Sequence, residues 1–111
     1  MAITKSKTEL VRLAWIAALR QQGDRQCSEA FAETHGARVC ALGLLIEVAG
    51  HDPSHPENLP FKWADDRDIG TLAGLTKAQS REIARRNDGG GKYHQHTFAE
   101  IADVVAGWFK E

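Results

Sequence analysis

The sequence predicts an all-α fold, a compact bundle of four to five helices around a buried central helix at about residues 38–49. Three observations lead there. The segment 37–49, ARVCALGLLIEVA, is the most apolar of the chain, and a stretch that is apolar nearly all round belongs in the middle of a core. Thr76 with Gln79, and Thr97 with Glu100, have the spacing of capping boxes at helix starts. The final segment, TFAEIADVVAGWFKE, places Phe98, Ile101, Ala102, Val105, Trp108 and Phe109 on one helical face.

Taken in order, residues 8–22, TELVRLAWIAALRQQ, read as a helix. Leu10, Ala14, Ala17 and Ala18 recur at helical spacing, and Val11 and Trp15 widen that face. Ser6 or Thr8 caps its start, and Gly23 ends it. Residues 24–36 are polar and open to either reading, with CSEAFAETHG able to form a short helix ending at Gly36. In the central helix, Gly43 costs about 1 kcal/mol against Ala, which a close helix crossing would explain, and Gly50 is the stop.

All three prolines fall in 51–66, HDPSHPENLPFKWADD, which therefore reads as a loop. Its Leu59, Phe61 and Trp63 are expected to fold back onto the core. A short helix over 66–74 turns Ile69, Leu72 and Ala73 inward. The next helix runs from about Lys77 to Asn87 and stops at Gly89, Gly90 and Gly91. A polar linker, KYHQH, leads into the last helix.

The 111 residues fit a single helical domain over 1–111. Hydrophobic residues make up 42% and charged residues 26%, so a core forms without help from metal or disulfide. A net charge of −1 gives no global attraction to nucleic acid or to anionic membranes. The apolar run 39–49 is too short to span a bilayer. The start MAITKSKTEL has no apolar signal region. With two cysteines and no export signal, the expectation is a cytoplasmic protein with reduced thiols.

The blocks WIAALRQQGDRQC, RVCALGLL, LPFKW, AGLTKAQSREIARRNDGG and TFAEIADVVAGWF together resemble a family of small bacterial and phage proteins. That family has a "CALG" or "CCLG" helix, a Trp-containing loop, an "ND-G" turn and a final "F-x-EIAD" helix. The resemblance covers nearly the whole chain. It departs from the pattern in the GGGKYHQH inserted before Thr97 and in the single Cys of the central helix. It implies a phage- or prophage-linked origin and brings no activity, cofactor or catalytic residue with it.

Five basic side chains, Lys77, Arg81, Arg85, Arg86 and Lys92, stand against two acidic ones between Thr76 and Lys92. Lys77, Arg81 and Arg85 repeat every four residues, which makes one helix stripe suited to phosphate or to an acidic partner. A solvated helix face gives the same pattern. Phe61 and Trp63 on the proline loop are candidate partner anchors, or a lid over the core. A DNA-reading helix-turn-helix needs a recognition helix after "F-x-EIAD", and the chain ends first.

Cys27 and Cys40, with His35, His51 and His55, lack the Cys-x2–4-Cys half of a zinc finger. His94 and His96 point the same way if the linker is extended. That would suit a shared metal or a pH response, and a mobile polar loop explains them equally. A calcium loop counted back from Glu100 puts Gly89, Gly91 and Tyr93 where oxygen ligands belong, and fails. The expectation is therefore no metal, no cofactor and no catalytic residue. The function expected is that of a small non-enzymatic interaction protein, phage- or prophage-associated, that binds a protein partner. The alternatives are a nucleic-acid-associated protein using the basic stripe, and a thiol- or metal-dependent enzyme using Cys27.

Overall fold

The computed structural model describes residues 6–28, 31–33, 36–55, 59, 66–89 and 94–110. It is an all-α globule with one minimal hairpin. Helix α1 is Lys7–Gln21, followed by a 3-10 turn at Gly23–Arg25. Strands β1 (Ala32–Glu33) and β2 (Arg38–Val39) pair antiparallel, Ala32 with Val39 and Glu33 with Arg38. Then come α2 (Ala41–Val48), α3 (Asp66–Ile69) with a 3-10 turn at Gly70–Ala73, α4 (Lys77–Asp88) and α5 (Phe98–Phe109).

The central helix is buried as expected. Ala41, Leu42, Leu44, Leu45 and Ile46 are all within 1% of complete burial. Each large aliphatic chain removed from water contributes about 1.5–3 kcal/mol. Trp15, Leu19, Ile69, Ile83, Phe98, Ile101 and Val105 surround it at the same depth. Ile69 and Ala73 turn inward, Leu72 packs partly against the core, and Leu59 of the proline loop is buried. Both capping boxes form, at Thr76/Gln79 and Thr97/Glu100. Gly50 and Gly89 take positive φ where their helices end.

Three expectations are corrected. The short helix over 27–36 is absent among the described residues. Instead Cys27 donates its N–H to the Val39 carbonyl at 2.9 Å, and Cys40 donates to the Phe31 carbonyl at 3.2 Å. Residues 26–27 and 31–33 thus lie beside 38–40. Gly36 at φ 86° makes the turn, and the Arg25 guanidinium holds it by donating to the Gly36 and Ala37 carbonyls. The central helix consequently starts at Ala41, with Arg38 and Val39 spent on the strand.

The face of α1 is rotated from the one read off the sequence. Leu10 is 55% exposed, and Ala14 and Ala17 are exposed with it. Trp15, Ile16, Ala18, Leu19 and Arg12 are buried. Large side chains decide the rotation, because two alanines bring little area to bury against one indole and two branched aliphatics. Arg12 is tolerated inside because it donates to the Ala73 carbonyl at 3.1 Å and lies 3.8 Å from the centre of the Phe109 ring.

Gly43 serves a strand crossing rather than a helix crossing. A Cβ there would lie 1.8 Å from the Phe31 carbonyl oxygen, a backbone atom. The glycine lets the extended segment press directly onto α2.

A buried carboxamide joins these parts. Asn87, at the end of α4, is 1% exposed. Its Oδ1 accepts from the Ala41 N–H at 3.1 Å and from Gln26 Nε2 at 3.0 Å. Its Nδ2 donates to the Cys27 carbonyl at 2.8 Å. Gln26 extends the network, since its Nε2 also donates to the His96 carbonyl at 2.7 Å and its Oε1 accepts from the Phe98 N–H at 3.1 Å. Ala41 and Phe98 are the first residues of α2 and α5, so the two side chains satisfy helix-start donors that have no partner within their own helices.

Three outcomes follow for stability. Asn87→Ala should lower unfolding free energy in urea by about 2–4 kcal/mol, since it orphans buried donors and acceptors. Gly43→Ala should lower it by about 3 kcal/mol or more, because the added methyl meets backbone. Gly107→Ala, where a Cβ meets nothing within 4 Å, should instead raise it by about 0.5–1 kcal/mol.

Candidate binding face

The orientation of α4 follows from its buried side. Ser80, Ile83 and Asn87 are within 1% of complete burial and sit at i, i+3 and i+7, the spacing of one face. Ser80 Oγ accepts from the Gly70 N–H at 2.8 Å and donates to the Asp66 carbonyl, which fastens α4 to α3. At the start, Thr76 Oγ1 accepts from the Gln79 N–H at 3.1 Å, and Gln79 Oε1 accepts from the Thr76 N–H at 2.9 Å. At the end, Gly89 donates to the Arg85 carbonyl at 2.8 Å. A helix fixed at both ends and along one side has its opposite side set as well.

That opposite side carries Lys77, Arg81 and Arg85, all exposed. Lys77 Nζ lies 3.4 Å from Asp68 Oδ1 with its side chain 72% exposed, a surface pair of little strength. No carboxylate among the described residues pairs with Arg81 or Arg85. Arg86 is turned one helix step away and is engaged elsewhere. Its Nη2 is 2.8 Å from Glu82 Oε2, and its Nη1 is 3.2 Å from His96 Nε2. The stripe therefore consists of Lys77, Arg81 and Arg85, and Arg86 stands apart from it. Lys92, Phe61 and Trp63 lie outside the described residues.

His94 and His96 do share a side, with stacked rings 4.5 Å apart and 15° from parallel. Arginine only donates, so His96 Nε2 accepts from Arg86. Its Nδ1, 2.9 Å from the His94 carbonyl, then carries the proton. Both ring nitrogens of His96 are thereby used. Among the described residues, no three His, Cys, Asp or Glu side chains gather in a way that would hold a metal ion.

The thiols are set against nucleophilic chemistry. Cys40 caps α2 with Sγ accepting from the Gly43 N–H at 3.3 Å, and burial nonetheless pushes its pKa up to about 12. Burial raises Cys27 as well, helped by nearby Glu33. A nucleophilic cysteine needs the opposite shift. Elsewhere, an open groove of about 270 Å³ between the start of α1, the end of α2 and the 3-10 turn is lined by Lys7, Thr8, His51 and Thr71 among others. Among the described residues, that lining holds no carboxylate or thiol.

Sequence reasoning missed Gln26 and the capping role of Cys40. Neither residue type is a usual helix cap, and both roles depend on a distant backbone. No helix among the described residues is long and apolar enough to cross a membrane. Compared with protein-family models, curated proteins and solved structures, the chain finds no match.

Suppressed thiolates have a measurable consequence. At pH 8, an alkylating reagent should label Cys40 at least about 100-fold more slowly in native protein than in concentrated urea, since a pKa of about 12 leaves far less thiolate than an ordinary cysteine has, and Cys27 should be slowed in the same direction. Rapid native labelling of Cys27 would return the thiol-enzyme reading to consideration.

Proposed function

We propose that the protein acts without chemistry of its own, by binding an acidic segment of a protein partner along the outer face of α4. One observation carries this reading: Arg81 and Arg85 stand exposed one turn apart with no carboxylate partner among the described residues, while Arg20, Arg25, Lys77 and Arg86 each meet one. Guanidinium groups form paired hydrogen bonds to carboxylates and hold them better than ammonium groups do. The rigid helix beneath them lowers the ordering cost of binding. The likeness to bacterial and phage proteins supports a prophage setting, and the protonated thiols suit a cytoplasmic one.

The same stripe is short for nucleic acid. Lys77 to Arg85 spans about 12 Å of helix. Three neutralised phosphates give a salt slope of only about −3 and correspondingly weak retention. On α5, the exposed Glu100 adds negative charge that opposes a phosphate backbone.

The test is capture of partners from the source cell by the wild-type chain and by the double variant Arg81→Glu/Arg85→Glu. The variant should keep its unfolding free energy within about 0.5 kcal/mol and lose at least about tenfold in affinity for a protein partner with an acidic surface. Equal capture by both proteins would remove the α4 face from consideration. Retention on random DNA at low salt, lost in the variant and with no protein partner recovered, would decide for nucleic acid instead.

A further inference from the structure

The fold brings its two cysteines together from different directions. Gln26 and Val39 form a parallel bridge, and the Cys27 N–H donates to the Val39 carbonyl at 2.9 Å. The bridge is isolated, and that bond ties the Cys27 amide to the residue that leads directly into Cys40. One backbone hydrogen bond between the two segments at this point suits the roughly 4.4–6.8 Å between Cα atoms that a disulfide accepts. A second contact places them independently. The one carboxamide of Asn87 reaches the Cys27 carbonyl at 2.8 Å and the Ala41 N–H at 3.1 Å, so the backbone on the C-terminal side of each cysteine meets the same side chain. Both thiols are buried, which shields them from other protein molecules while leaving them near each other.

We propose that Cys27 and Cys40 form a redox-closable pair, joined by an intramolecular disulfide when the protein meets a small-molecule disulfide such as oxidised glutathione. One cysteine thiolate attacks a sulfur of the reagent, forms a mixed disulfide and releases one reagent thiol. The second cysteine gives its proton to solvent, and its sulfur displaces the remaining reagent moiety as a second thiol. Two protein thiols are oxidised and one reagent disulfide is reduced to two thiols. The new bond staples the hairpin to the start of α2. It also draws Cys40 Sγ away from the Gly43 N–H, exchanging a weak cap for a covalent link. Closing a loop of roughly a dozen residues constrains the unfolded chain, so the oxidised protein melts several degrees higher than the reduced one.

The experiment equilibrates the full chain with graded ratios of reduced to oxidised glutathione, once in native buffer and once in concentrated urea. Mass spectrometry reads the loss of two hydrogens, and trypsin, cutting after Arg25 and Arg38, separates the two cysteine peptides unless they are linked. A preorganised pair gives a native effective concentration at least about tenfold above the urea value. A native value equal to or below the urea value overturns the proposal, as does accumulation of covalent dimers or of glutathione adducts at equilibrium. Cys40→Ser should stop at the mixed disulfide. The wild-type comparison stands by itself if that variant fails to fold.

Discussion

The side-chain amide of Asn87 is the contact on which the arrangement turns. A helix buried as completely as α2 has a problem at its first turn, where backbone N–H groups face outward along the axis with no partner. Solvent cannot reach them here, and leaving one unpaired costs about 1–3 kcal/mol. Asn87 meets this need from another helix, accepting from Ala41 while donating to Cys27. Because an amide both donates and accepts, one side chain fixes the spacing of three chain segments: the end of α4, the extended run at Cys27 and the start of α2. An apolar residue of equal size would fill the volume and take away the acceptor of the Ala41 N–H.

Gln26 carries the same logic to the other end. By accepting from Phe98 and donating to Asn87 and to the His96 carbonyl, it ties the start of α5 to the same network. The hairpin is held from outside by Arg25, which bonds two turn carbonyls and pairs with Glu47 on α2 at 2.9 Å. The Glu47 hydrogen bond keeps that arginine charged by raising its pKa further. With both ends fixed, the Phe31 backbone presses onto α2 at Gly43. The glycine's conformational cost is offset by contact that no larger residue permits.

Much of this was legible in the sequence, for identifiable reasons. The capping boxes at Thr76 and Thr97, the glycine stops at Gly50 and Gly89, and the apolar face of α5 are local patterns, and local chemistry decides them. The helix read over 27–36 failed because Ala30, Phe31 and Ala32 suit either state, and the decision came from carbonyl partners at Val39 and Phe31. Those contacts have no signature in either segment alone. The rotation of α1 was misread by counting apolar positions equally, when Trp15 and Leu19 outweigh Ala14 and Ala17. The basic stripe was visible as spacing, and Arg86 beside it is turned by helix geometry toward Glu82 and His96.

The buried network bears on the outer face of α4 as well. Asn87 and Ser80 belong to the side of α4 that looks inward, and both are bound to backbone on other segments. Neither can rotate without breaking bonds at the start of α2 or across Gly70. The positions of Arg81 and Arg85 are therefore consequences of the core and not of their own contacts. Exposed arginines on a frayed helix would lose conformational freedom on meeting a partner, at up to about 2 kcal/mol per side chain with the backbone cost added. On this helix the backbone share is already spent in folding, so the charge offered to an acidic surface comes with its spacing set.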